Sequence, residues 1–175
     1  MISIIASTNR KSSNSLIFAQ KIKELIEQKN GLCQILDLKD LPSNFIFENE
    51  VFGNDNAPVN QIAERFISNA NKLIFVIPEY NGSFPGVLKS FIDSFAPSRI
   101  KGKYALIFGI SSGRAGNVRG LDHFTGVLNY LDVNVLPTKI AVSQCHSLID
   151  YEENKLTDSA TIELLETQVN RFLTI

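Results

Sequence analysis

Two rhythms of hydrophobic residues alternate along the chain. Ile2 to Ala6 and Leu73 to Ile77 are continuous apolar runs that end in a polar or proline-containing stretch. Short apolar runs bounded by turn formers read as strands buried on both faces. Leu32 to Leu38, Tyr104 to Ile110 and a stretch near Val133 to Leu136 complete the set. Between them the apolar positions recur every three or four residues. From Ser15 to Lys29, Leu16, Ala19, Ile22, Leu25 and Ile26 share one helical face, with Gln20, Lys23, Glu24 and Glu27 opposite. Asn30-Gly31 should end that helix, with Gly31 suited to a left-handed cap. Pro58 predicts a helix to about Asn71, since proline in a first turn forfeits no needed hydrogen bond. Pro85 opens another to about Phe95, and a third follows the Gly-rich loop Ser111 to Gly120, reaching about Leu131. Thr157-Asp158 begins a last amphipathic helix carrying Ile162, Leu165, Val169 and Phe172. Pro42 to Asn56 has no clear period and reads as a surface excursion, while Thr138 to Leu156 resists assignment.

Strands alternating with helices require a parallel sheet with right-handed crossovers. Five such strands suit an α/β, doubly wound, three-layer arrangement in the order 2-1-3-4-5. A length of 175 residues fits one domain, 1–175, with a sizeable core. Composition is that of an ordinary soluble domain, 44% hydrophobic and 20% charged. The net charge of -1 argues against a nucleic-acid footprint, which needs a clear basic excess. It also fits poorly with a carrier that docks through a strongly acidic face. Cys33 and Cys145 lie far apart, outside any CxxC pattern, as expected of reduced thiols in the cytoplasm. The apolar N-terminus is only six residues long, too short for a signal peptide or a membrane span. No metal site is expected.

In an open sheet of this order, ligands bind beyond the carboxyl ends of the strands, where the strand order reverses. That places a site on the loops after strands one, three and four. The first loop gathers Thr8, Asn9, Ser12, Ser13, Asn14 and Ser15 around Arg10 and leads directly into a helix. Backbone N–H groups at a helix start, hydroxyls and a guanidinium suit a phosphate, although Ser and Asn also serve as plain caps. The spacing matches neither GxxxxGK[ST] nor GxGxxG, which favours a monophosphate. The second loop, Pro78-Glu79-Tyr80-Asn81-Gly82-Ser83-Phe84-Pro85-Gly86, combines stiffening prolines, permissive glycines, an aromatic face and an amide. It could cover a flat heteroaromatic ring, or be a tight turn into the next helix. The third, Ser111-Ser112-Gly113-Arg114-Ala115-Gly116-Asn117, allows close backbone approach and adds a cation, but could also be a mobile turn.

These stretches resemble the NADPH-dependent FMN reductase family, a flavodoxin-like group that includes quinone, chromate and azo-dye reductases. The similarity runs from Met1 to about Leu136 and is carried chiefly by Thr8-Asn9-Arg10-x-x-Ser13-x-Ser15 and by Pro78-Glu79-Tyr80-Asn81-Gly82-Ser83-x-Pro85-Gly86-x-Leu88-Lys89. It implies that Thr8, Arg10, Ser13 and Ser15 bind the FMN phosphate, with Asn9 and Asn14 in the same loop. Pro78, Glu79, Tyr80 and Asn81, with Gly82, would line the isoalloxazine ring, and Ser111, Ser112 and Gly113 would border it. The chain departs from many relatives in having Ser7-Thr8 for Gly-Ser, and Ser15 for Asn.

The resemblance implies an enzyme in which NADPH or NADH reduces bound FMN, which then reduces a quinone, azo compound, metal oxyanion or free flavin. The alternatives are a flavodoxin-type electron carrier and a phosphoryl-ligand binding domain. Because the cofactor carries the chemistry, no acid–base catalyst is expected. His123, His146 and Glu79 read as positioning or surface groups, and Lys89 and Asp93 as a helical ion pair. The resemblance further implies a homodimer or homotetramer, to which the Phe-rich 45–52 segment and the apolar residues of 121–131 could contribute. No nucleic-acid or membrane partner is expected.

Overall fold

A computed structural model describes residues 1–48, 51–52 and 57–175. Its sheet runs in the order β2-β1-β3-β4-β5, with every pairing parallel. The strands are β1 (Ile2–Ala6), β2 (Cys33–Asp37), β3 (Lys72–Pro78), β4 (Tyr104–Ile110) and β5 (Asn134–Val135). Alternation along the central strands divides the core in two. Ile5, Phe75, Ile77 and Ile107 face one side, and Ile4, Val76, Leu106 and Phe108 face the other. Helices α3 (Pro58–Ala63), α4 (Gly86–Asp93) and α5 (Val118–Tyr130) cover the first side, and α1 (Asn14–Glu27) and α6 (Ser159–Leu173) the second. Two helical layers around one sheet give the three-layer, flavodoxin-like architecture.

Local chemistry accounts for most boundaries. Ser13 caps α1 and Asp158 caps α6, each accepting a backbone N–H from the first turn. Pro85 precedes α4, whose Lys89 and Asp93 pair at 2.7 Å. The short helix α2 (Phe45–Glu48) lies in the expected excursion, of which 49–50 and 53–56 fall outside the described residues. The helix from Pro58 loosens after Ala63 into a π-helical turn, Glu64–Ser68.

Four local readings change. The left-handed residue after α1 is Asn30, at φ 58°, not Gly31. Glycine is needed at 31 for another reason: a Cβ there would sit 2.5 Å from Ile26 Cγ2, where the Gly31 N–H donates to the Ile26 carbonyl. The buried stripe of α1 centres on Phe18 and Ile22, with Leu16 at its margin. Helix α5 starts at Val118, so Gly120 lies within its first turn and not in the loop before it. The edge strand is also interrupted. Leu136 N–H still reaches the Ala105 carbonyl at 2.9 Å, but Pro137 has no N–H to donate. Pairing with β4 resumes at β6 (Ile140–Val142), beside Phe108–Ile110. The unassigned segment thus contains a second piece of the sheet edge. It continues through a 3-10 turn (Cys145–Leu148) into an antiparallel hairpin of β7 (Ile149–Asp150) and β8 (Lys155–Leu156).

Candidate functional site

The loops leaving β1, β3 and β4 start side by side because hydrogen bonds continue past the strand ends. Ser7 N–H donates to Val76 O, Glu79 N–H to Ile110 O, and Ser111 N–H to Val142 O, all at 3.0 Å. Parallel pairing therefore delivers three polar loops to one rim.

In the first loop, Ser12 takes a positive φ of 53°, turning the chain into α1. Leu16 N–H donates to Ser13 Oγ at 3.3 Å. Thr8 is only 1% exposed, and its hydroxyl accepts from Arg10 N–H at 3.2 Å and meets the Tyr80 hydroxyl at 2.6 Å. That side chain ties the first loop to the second. Ser15 behaves differently. It lies in the first turn of α1, is 1% exposed, and its Oγ has no hydrogen-bond partner among the described residues.

The second loop is a two-residue reversal. Asn81 and Gly82 both have positive φ, 53° and 78°, and Tyr80 and Ser83 exchange two backbone hydrogen bonds at 2.9 and 3.1 Å. This is the Asn-Gly turn favoured in tight hairpins. Asn81 occupies its exposed tip, while Tyr80 stays at the rim. Helix α5 braces the turn: Ser83 Oγ lies 2.8 Å from His123 Nδ1, and Phe84 packs its ring on His123 and Phe124.

The third loop is held from within. Ser111 Oγ donates to Gly113 O at 3.1 Å and accepts from Gly116 N–H at 3.0 Å. Asn117, buried and left-handed at φ 68°, donates its amide to Ile77 O at 3.0 Å. Gly116 (φ 60°) lies so close to β6 that a Cβ would sit 2.6 Å from the Ala141 carbonyl carbon.

A cleft of about 200 Å³ opens between these loops. The first loop lines it with Thr8, Arg10, Ser12, Ser13, Asn14 and Ser15; the second contributes Pro78, Glu79 and Tyr80; β4 and its loop contribute Ile110, Ser111 and Ser112. Asn9, Asn81, Gly82 and Gly113, expected at the site, are not among the lining residues. Cys145, His146 and Tyr151 line it as well. The sequence carries no motif that would have placed them there, because they arrive through the irregular segment after β6. Burial pushes the Cys145 thiol above its ordinary range, partly offset by the Asn14 amide donating to its sulfur at 3.4 Å. It is therefore a protonated thiol at neutral pH. Among the described residues, no group of His, Cys, Asp and Glu could hold a metal ion.

The sequence model of the NADPH-dependent FMN reductase family matches residues 1–147. The chain belongs to this family. It is an NAD(P)H-dependent, FMN-using oxidoreductase, and the matched span includes all three loops. An NAD(P)H-dependent FMN reductase from Pseudomonas aeruginosa is 33% identical over 138 residues, 77% of this chain and 74% of that protein. A quinone reductase from Escherichia coli K12 is 26% identical over 178 residues, covering 98% and 92%. In structure, a flavoenzyme NAD(P)H:(acceptor) oxidoreductase from Paracoccus denitrificans superposes with a TM-score of 0.77 at 23% identity, covering 99% and 94%. That likeness establishes the shared fold, while membership of the FMN reductase family rests on the sequence.

Proposed function

We propose that the cleft holds the phosphate and ribityl chain of FMN against the start of α1, with the flavin ring at its mouth beside Tyr80. Ser15 carries this reading. A buried hydroxyl without a partner costs about 1–3 kcal/mol, which a phosphate oxygen at the same spot would offset. The N–H groups at the start of α1 other than that of Leu16, which Ser13 caps, and the Arg10 guanidinium add the donors an anion needs. At about 200 Å³ the cleft falls below the roughly 300 Å³ at which pockets begin to enclose a whole drug-sized ligand. It suits the narrow end of the cofactor and leaves the ring reachable.

The residues then divide into three tasks. Arg10, Ser13 and Ser15 hold the phosphate. Thr8 and Tyr80 clamp the first two loops together, and Asn81-Gly82 sets the turn that keeps Tyr80 at the rim. Pro78, Glu79, Ser111 and Ser112 border the ring. When bound, the flavin supplies the redox chemistry, accepting hydride from NADPH or NADH and passing electrons to a second substrate. The protein's part is orientation, a dry anchor and an open face. Such a face suits a small-molecule acceptor such as a quinone, azo compound, metal oxyanion or free flavin; the Escherichia coli relative's name makes a quinone the first to try.

We also propose that the chain, 1–175, acts as one flavin domain in a homodimer or homotetramer. Phe47 is 92% exposed and Tyr130 89%, aromatic surface that a subunit contact would bury. The two free cysteines are consistent with the reducing cytoplasm, and among the described residues no helix is long and apolar enough to cross a membrane. The deciding experiment is anaerobic addition of NADPH to the purified, FMN-loaded protein. Rapid loss of the yellow flavin absorbance supports the reductase. Bound flavin that neither NADPH nor NADH can bleach would make it a carrier, and a protein that ignores FMN would refute the cofactor assignment.

A further inference from the structure

The cleft has a side that no family motif describes, built from the 3-10 turn after β6 and the tip of the β7–β8 hairpin. Its side chains are wired to the start of α1. Asn14 Nδ2 donates to Cys145 Sγ at 3.4 Å, which orients the amide. The other end of that amide, Oδ1, accepts from the Tyr151 hydroxyl at 3.3 Å. His146 Nδ1 lies 2.5 Å from the same hydroxyl. The Tyr151 hydroxyl occupies Nδ1, as donor or acceptor according to the tautomer, which leaves Nε2 as the available ring nitrogen. In an imidazolium both ring nitrogens carry protons, so Nδ1–H would donate to the phenol oxygen while the phenol proton goes to Asn14.

We infer that His146, positioned by Tyr151 and Asn14, binds the phosphate through Nε2 as an imidazolium, on the opposite side from the first loop. This rests on the FMN reading above. His146, Tyr151 and Cys145 line the same cleft as Arg10 and Ser15. The charged or titratable groups on that lining besides His146 are Arg10 from the first loop, Glu79 and Tyr80 after β3, Cys145 from the 3-10 turn and Tyr151 from the hairpin. Cys145 is neutral there, and Arg10 and Glu79 carry opposite charges. A phosphate dianion is then the excess negative charge that draws a proton from water onto Nε2. The family match ends at residue 147, so Tyr151 and the hairpin lie beyond it. His146 lies at the last positions of the match, and the Tyr151 that orients it comes from beyond them.

The test compares FMN with riboflavin, which has the same ring and no phosphate. Dissociation constants are measured by flavin fluorescence quenching at pH 6 for the wild type and for His146→Gln, after thermal unfolding confirms that both are folded. The expected result is roughly 10- to 100-fold weaker FMN binding in His146→Gln, the scale of a charge-assisted hydrogen bond, with riboflavin binding within twofold. FMN binding within twofold of wild type would overturn the role of His146, and so would an equal loss for both ligands. A second readout does not depend on the variant folding. The chain has 2 histidines, so their imidazole proton resonances can be followed by NMR in the wild type. FMN should move the titration of one of them to higher pH while riboflavin does not, and two unmoved titrations would refute the inference. A wild type that binds neither ligand would bring down the FMN reading itself. Normal FMN binding with an indifferent His146 would remove only this contact.

Discussion

Ser15 and Arg10 both line the cleft, yet their removal should affect the unliganded protein differently. Ser15 Oγ has no partner among the described residues, so Ser15→Ala deletes an unsatisfied group from a buried position. We expect the unliganded protein to unfold at the same temperature or slightly higher. FMN binding should weaken by about 1.5–3 kcal/mol, the net value of a hydrogen bond to a charged group. Calorimetry of the apoprotein with a flavin titration reads both, and a large stability loss would show that Ser15 has a structural partner. Arg10 is exposed and makes no ion pair among the described residues. Arg10→Ala should weaken FMN by roughly 1.5–3 kcal/mol and leave the unfolding temperature unchanged. Unaltered FMN affinity in that variant would mean that the loop does not hold the phosphate. The donor-rich composition of this loop was visible in the sequence. That Thr8 would be spent on Tyr80 was not, since the two are 72 residues apart. Asn81 is a different case. Asn-Gly is itself a strong turn signal, and two positive φ values put its side chain at the tip and not over the cleft.

Among the elements, the strands and long helices follow the hydrophobic pattern closely, because burial on both sheet faces demands continuous apolar runs. The pattern fails at the sheet edge. Pro137 breaks β5 from β6, and two or three residues carry too little periodicity to declare a strand. What holds β6 beside the third loop is close packing. Gly109 lies against the Gly116 carbonyl, and Gly116 against Ala141, each pair leaving no room for a Cβ. Gly116→Ala combines that clash with a left-handed backbone, so we expect a loss of about 2–3 kcal/mol in urea unfolding. Because the same seam positions Ser111 and Cys145, FMN affinity should fall too. A variant as stable as wild type would show that loop and strand can separate freely.

For the molecule as a whole, pH offers a check on how the sheet treats charge. Asp37 ends β2, is 7% exposed, and its carboxyl is pushed above the ordinary range by burial, partly offset by the Lys39 N–H that it accepts at 3.0 Å. A folded pKa above the unfolded one means that the native state holds the extra proton between the two values. Stability therefore falls as pH rises through that window, and the penalty is complete above it. Asp37→Asn keeps an acceptor for Lys39 and removes the charge. Its melting temperature should exceed wild type at pH 7, and the difference should vanish once the pH drops below the ordinary carboxylate range. A gain that persists at low pH would point to packing and not to charge.

Local periodicity and turn chemistry suffice to specify the alternating strands and helices, the strand order they favour, and the three loops at the strand ends. Each of these depends on residues close together in the chain. The completed cleft does not. Asn14 meets Cys145 across 131 positions and Tyr151 across 137, and no local preference records such a meeting. Tertiary packing decided that a segment without period or motif would line the cleft, because the sheet edge and α1 hold its turn and hairpin there.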